Sequence, residues 1–85
     1  MREILYTKEA QARIIKLPPA IRRRVKVAIE RLAEHPELGK LLAGHLGGIG
    51  SYRTGDYRIL YRLEHQRSAL LILTIGHRKD VYRKR

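Results

Sequence analysis

Residues 51–62 read SYRTGDYRILYR and carry the clearest structural signal in the chain. Thr54-Gly55-Asp56 is typical of a hairpin turn, because Gly55 can adopt a positive φ at no steric cost. Strand-like segments flank this turn, Ile49–Arg53 before it and Tyr57–Leu63 after it. Within Tyr57–Leu63, one face of the strand carries the apolar-rich set and the other carries Arg58, Leu60 and Arg62. The apolar-rich set, expected to face the helices, is Tyr57, Ile59, Tyr61 and Leu63.

A second hairpin is predicted downstream. Glu64–Ser68 is turn-like, and Ala69–Ile75 forms a strand that is apolar on both faces and therefore interior in the sheet. Because two consecutive hairpins leave no room for crossovers, the sheet is predicted to be mainly antiparallel. Residues 77–85 form a charged tail.

Upstream, Glu3–Thr7 is predicted to be a strand, and the Thr7 hydroxyl can cap a helix over Lys8–Lys16. Leu17-Pro18-Pro19 ends that helix, and Pro19 suits the first turn of another running to His35. The core face of this second helix repeats at helical spacing: Ile21, Val25, Ala28, Ile29 and Leu32. Glu37–Gly50 is predicted to be a glycine-containing connection. Together these elements predict one α+β domain over residues 1–85, with the order β-α-α-β-β-β and a helical hairpin packed on the sheet.

The chain is strongly basic, with 19 Lys and Arg against 8 Asp and Glu, giving a net charge of +11. Thirteen of these cations are arginines, whose planar fork favours bidentate contact with phosphate or carboxylate. Nucleic acid, an anionic membrane surface and an acidic protein are the natural partners of such a charge. A solvated basic surface is the alternative interpretation.

Cysteine is absent, and the four histidines show no metal-ligand spacing. We therefore predict neither a metal site nor a cofactor. No signal-peptide pattern follows Met1, and the longest apolar run, Ala69–Leu73, is far too short to span a membrane. A cytoplasmic location is expected.

Several polar residues are candidates for chemistry. Alternation places Arg58 on the face opposite the apolar-rich side of its strand, where it either binds an anion or is simply solvated. His77 can shuttle protons or serve as a structural hydrogen-bonding group. Tyr82 lies within the basic tail and can stack on a base or pack on the sheet.

The ordered motifs resemble the RelE/ParE toxin superfamily of toxin–antitoxin systems. They are Lys16-Leu17-Pro18, Leu41-Leu42-Ala43-Gly44, the GDYRILY stretch at 55–61 and GHRKDVY at 76–82. The resemblance to RelE-type toxins implies a ribosome-dependent endoribonuclease that cuts mRNA by attack of the 2′-OH on the adjacent phosphate. The products would be a 2′,3′-cyclic phosphate and a 5′-OH, formed without metal.

The resemblance assigns site residues by position. Arg58 and Arg78 match arginines that stabilise the phosphate, Tyr82 matches a C-terminal tyrosine that orients a base, and Arg53 matches a basic position in the second strand. Ile49 and Ser51 stand where the well-known RelE enzyme has lysines. The general base is therefore unassigned, with His77 a candidate by its chemistry.

Two other functions remain open on the same resemblance: a ParE-like poison of DNA gyrase, and a nucleic-acid-binding homologue that does not cut. Either toxin branch implies an acidic antitoxin protein, with operator DNA bound only by the toxin–antitoxin complex. The ribonuclease branch adds the ribosome and mRNA as partners.

Overall fold

The structure, a computed structural model, describes residues 2–42 and 48–77. Within these ranges the chain forms five strands and two α-helices. In chain order they are β1 (Glu3–Tyr6), α1 (Lys8–Ile15), α2 (Pro19–Glu34), β2 (Lys40–Leu41), β3 (Ile49–Thr54), β4 (Tyr57–Glu64) and β5 (Ala69–His77). Residues 43–47, inside the predicted connection, and the predicted basic tail from residue 78 onwards lie outside the described residues.

The five strands form one mixed sheet in the order β1-β5-β4-β3-β2. β1 pairs with β5 in parallel, whereas the other three pairings are antiparallel. The parallel pair is possible because the two helices carry the chain away from β1 before it returns through the hairpins. The α+β class, the helical hairpin and the mainly antiparallel sheet are confirmed, and β5 is interior as predicted.

Both helices begin where the sequence predicts. The Thr7 hydroxyl accepts a hydrogen bond from the Ala10 amide at 3.0 Å and donates one to the Leu73 carbonyl at 2.6 Å, so it both caps α1 and ties it to β5. Pro19 opens α2, where the missing N–H of proline has no helical partner to lose. The Arg22 guanidinium donates to Ile15 O, the last carbonyl of α1, at 3.3 Å and to Leu17 O just beyond the helix at 3.0 Å.

The core lies between the helical hairpin and one face of the sheet. Burial of each large aliphatic or aromatic side chain there stabilises the fold by roughly 1.5–3 kcal/mol. Its largest fully buried side chains come from α2 (Val25, Ile29, Leu32), β4 (Ile59, Tyr61) and β5 (Leu70, Ile72, Ile75). The β4 members are two of the four residues that alternation assigns to the helix side.

A β-bulge interrupts the pairing of β4 with β5. Leu60 pairs with Thr74 and Tyr61 pairs with Ile72, so Leu73 has no opposite residue. The bulge explains how Leu70, Ile72 and Ile75 all reach the core although their spacing changes from two to three. It was not predicted, because an apolar strand gives no alternation from which a break can be seen.

The predicted connection over Glu37–Gly50 is wrong in one respect, because it contains the two-residue edge strand β2. Lys40 pairs with Ser51 and Leu41 with Gly50. The segment is held by Tyr61, whose hydroxyl donates to Pro36 O at 3.1 Å and whose ring lies against Gly39 and Gly50. A Cβ at either glycine would overlap that ring. In residues 2–42 and 48–77, no helix is long and apolar enough to cross a membrane.

Candidate functional site

The sheet surface away from the helices, here called the open face, carries the candidate site. The β3–β4 hairpin closes with the two-residue turn Gly55-Asp56, in which Gly55 has φ +62°. This turn fixes the register so that Arg53 lies directly opposite Arg58. Because directly opposed antiparallel residues share a face, both arginines lie on the open face, while their neighbours Tyr52 and Ile59 face the helices.

The two arginines put two positive charges on adjacent strands of the open face, with the Arg53 side chain hydrogen-bonded to the turn and the Arg58 side chain to Ser51. Their Cβ atoms are expected to lie about 4.5–5.5 Å apart, and like charges directly opposite each other are destabilising. Arg53 is exposed, and its Nε donates to Gly55 O at 3.2 Å. An anion bound between the two side chains would relieve the repulsion, so the pair suits a phosphate or a carboxylate.

Arg58 is half-buried and its direction is set by a neighbour. Its Nη1 donates a hydrogen bond to the Ser51 hydroxyl at 3.3 Å. Ser51 is only 6% exposed, so the contact is shielded from water. Gly76, which has no side chain, lies opposite Arg58 on the other side, in β5.

The hydrogen bond from Arg58 to Ser51 was not predicted from the sequence, where Ser51 was noted only for standing at a lysine position of the RelE resemblance. The signal was nevertheless present. A two-residue turn at Gly55-Asp56 places Ser51 opposite Leu60, on the face of Arg58 and diagonal to it. At the diagonal distance of ~7–8 Å, long side chains reach each other across strands.

His77 is not brought together with Arg58. It pairs with Tyr57 across β5 and β4 and makes an edge-to-face ring contact with it, with centroids 5.8 Å apart and an interplanar angle of 75°. Tyr57 packs against the core, so His77 lies on the helix side of the sheet. Arg58 lies on the opposite side.

The remaining predicted site residues, Arg78 and Tyr82, lie outside the described residues. Within residues 2–42 and 48–77, no three His, Cys, Asp or Glu side chains come together as they would to hold a metal ion. A reaction without metal stays a prediction.

Comparison with known proteins places this chain in a family. Residues 4–82 match the family described as the ParE toxin of type II toxin–antitoxin systems, parDE. The chain belongs to this toxin family. The resemblance to the RelE/ParE superfamily deduced from the motifs is therefore confirmed.

Two comparisons with Mycobacterium tuberculosis, one with a curated toxin and one with a solved complex, show likeness in sequence as well. The chain is 37% identical to toxin RelG over 83 residues, which cover 95% of each chain. The crystal structure of the toxin–antitoxin complex RelBE2 contains a chain that is 33% identical, with a TM-score of 0.82, covering 89% of the toxin and 96% of that chain.

The isolated RelE toxin of E. coli has the same fold at only 17% identity. Its TM-score is 0.79, and the match covers 91% of this toxin and 84% of that chain. At this identity the likeness concerns the fold alone.

Proposed function

We propose that this toxin is a metal-independent endoribonuclease that cleaves ribosome-bound mRNA and so inhibits translation. The observation that carries the proposal is the pair of opposed arginines on the open face, one of them fixed by Ser51. Placing charge in advance where the reaction develops charge is the main source of catalysis in phosphoryl chemistry.

The reaction would proceed by internal displacement at phosphorus. The 2′ oxygen of the RNA loses its proton and bonds to the adjacent phosphorus, and the bond from phosphorus to the 5′ oxygen breaks. The leaving 5′ oxygen takes a proton, which gives a 2′,3′-cyclic phosphate and a 5′-OH. Negative charge grows on the pentacoordinate phosphate, so nearby guanidinium groups lower the barrier.

Each site residue has a role in this scheme. Arg58 stabilises the reacting phosphate, and Arg53 positions the RNA backbone beside it. Arg78 is assigned to phosphate stabilisation, Arg58 and Arg78 are the two candidates for proton donation to the 5′ oxygen, and Tyr82 is assigned to stacking on or orienting a base. The roles of Arg78 and Tyr82 rest on the match of their positions to the family motif.

The general base is proposed to come from outside the described open face. His77 is the candidate by its chemistry, but it lies on the helix side with Tyr57, away from Arg58. Ile49 and Ser51, at the family's lysine positions, cannot accept the proton as an amine would. A ribosomal group or a water molecule therefore takes the 2′ proton.

The protein partner is proposed to be an acidic antitoxin with apolar anchors. The net charge of +11 attracts an acidic chain and speeds its encounter with the toxin. Ile15, Val27 and Leu41 are large apolar side chains that are more than half exposed, which suits a partner that covers them. RelBE2 was solved as a toxin–antitoxin complex. Operator DNA is proposed to be bound by the complex only.

Poisoning of DNA gyrase is the second candidate, and the description of the matching family as parDE favours it. A purified translation system, with a parallel gyrase assay, distinguishes the ribonuclease from the gyrase poison. Primer extension on ribosome-bound message should show cuts that appear only with ribosomes, and the new ends should be 2′,3′-cyclic phosphates. A parallel supercoiling assay with gyrase should show no inhibition. Intact message together with inhibited supercoiling would reject the ribonuclease in favour of the gyrase poison.

A further inference from the structure

The edge strand β2 places a further cation on the open face. Lys40 is directly opposite Ser51, and Leu41 is directly opposite Gly50. Gly50 lies against the Tyr61 ring on the helix side of the sheet, so Leu41 shares that side. Lys40, the next residue along the strand, therefore lies on the open face with Ser51.

Lys40 completes a row of polar residues across three strands. Ser51 occupies the middle strand of the row, with Lys40 on β2 to one side and the Arg58 guanidinium reaching it from β4 on the other. Lys40 is exposed. Neighbouring strands lie about 4.7–4.9 Å apart, so β2 and β4 are separated by roughly 10 Å. Long, flexible side chains at the two ends of the row can therefore contact different phosphates of one strand of RNA.

We propose that Lys40 binds the RNA backbone at a phosphate neighbouring the one held by Arg58. This inference rests on the proposed ribonuclease function. A lysine ammonium is a compact point charge that suits a phosphate held for position, whereas the arginine fork suits the phosphate that reacts.

An edge lysine also has a purely structural use, because charged side chains on an edge strand discourage pairing with other chains. The two roles differ in their dependence on salt. A residue that contacts a phosphate releases a counterion on binding, and for single strands each contact contributes about 0.7 to the slope of log K against log salt. A lysine that only prevents the edge strand from pairing with other chains contributes nothing to that slope.

The test measures binding of a fluorescent 2′-O-methyl RNA, which cannot be cut, over a series of KCl concentrations. The proteins are the unsubstituted toxin, Lys40→Ala, Lys40→Arg and the control Lys26→Ala. Lys26 is exposed on α2, in the helical layer, and its loss changes the net charge equally. Thermal unfolding of each variant establishes that the fold is retained.

We expect Lys40→Ala to weaken binding several-fold and to lower the slope by about 0.7, with Lys40→Arg and Lys26→Ala close to the unsubstituted toxin. In ribosomal cleavage, Lys40→Ala should raise KM with little change in kcat. An unchanged slope in Lys40→Ala, an equal change in Lys26→Ala, or no salt-dependent RNA binding by the unsubstituted toxin would overturn the proposal. A selective slope change in a toxin that does not cut message would instead reject the ribonuclease while keeping the Lys40 contact.

Discussion

At the scale of single residues, a hydrogen bond from Arg58 to Ser51 fixes the arginine side chain on the open face. The Ser51 hydroxyl receives Arg58 Nη1 at 3.3 Å in a nearly buried position, which restricts the guanidinium to one direction before any substrate arrives. A group that is already oriented does not have to reorganise when charge develops on the phosphate. In the proposed ribonuclease, Arg58 is the group that would meet the phosphate, and Ser51 is the residue that would position it.

Arg58→Ala should abolish toxicity and reduce single-turnover cleavage by ~10²–10³ while the fold is retained. Ser51→Ala should reduce it about tenfold, or ~1.4 kcal/mol. In the double variant the serine change should add almost nothing to the arginine change, because its effect passes through Arg58. Arg23→Ala, an exposed arginine on α2, is the charge-matched control. Full cleavage by folded Arg58→Ala would remove this residue from the mechanism.

His77→Gln should leave the single-turnover rate within a few fold of the unsubstituted toxin. The reason is its position on the helix side of the sheet, in contact with the Tyr57 ring at 5.8 Å. The pH–rate profile should likewise show no ionisation that disappears with the substitution. A loss of more than ~100-fold with RNA binding intact, or ~2.7 kcal/mol of transition-state stabilisation, would make His77 the leading candidate for the base.

Because of Tyr61, the free energy of unfolding should depend on pH in the alkaline range. Burial raises the pKa of the Tyr61 hydroxyl above its ordinary value of 10.0. Its contribution to stability is therefore fully present below pH 10.0, and it is lost as pH rises through the folded-state pKa, because only the unfolded chain ionises readily. The free energy of unfolding from urea titrations should fall above pH 10.0, and fall less steeply in Tyr61→Phe. Burial and the charge of Glu30 also raise the pKa of Tyr6. Tyr6 is present in both proteins, so only the difference between their slopes is assigned to Tyr61. Equal slopes would contradict the assignment.

At the scale of elements, β2 and β3 depend on the absence of a side chain at Gly50. Gly50→Ala places a Cβ inside the volume of the buried Tyr61 ring, which is also fixed through its bond to Pro36. Overpacking of this kind costs about 1–3 kcal/mol, and each 1 kcal/mol lowers the Tm by about 4–8 °C in a domain of this size. Arg23→Ala on α2 is the control, since its side chain is exposed. An unchanged Tm for Gly50→Ala would show that the ring moves aside freely.

The elements predicted correctly are those with a strong local pattern. The apolar residues of α2 from Val25 to Leu32 repeat at helical spacing, and the turn at Gly55 requires a positive φ that glycine adopts readily. β2 has only Lys40 and Leu41, too few residues to show alternation, and it exists because β3 and Tyr61 hold it. The bulge at Leu73 is hidden in an apolar run for a similar reason. At the site, sequence alternation placed Arg58 correctly, whereas its bond to Ser51 required the register of the hairpin.

At the scale of the whole molecule, a reaction without metal stays a prediction from the resemblance to RelE-type toxins. Cleavage should continue at an unchanged single-turnover rate when a chelator is added after toxin and message are assembled on ribosomes. The late addition separates catalysis from the magnesium that ribosomes need. The control is a mock addition of buffer. Loss of cleavage that one particular metal restores would contradict the mechanism.

The unmatched residue Leu73 has a consequence for how the molecule can change over evolution. A strand assigns its residues to two sides in strict alternation, and Leu73 resets that alternation within β5. Its deletion would leave Ile72, Thr74 and Ile75 in strict alternation, with Ile75 still facing the helices and Gly76 still opposite Arg58. Surface turns tolerate gains and losses of residues. The bulge extends that tolerance to one position inside β5, because the loss of Leu73 would keep both the interior and the arginine surface in register with β4.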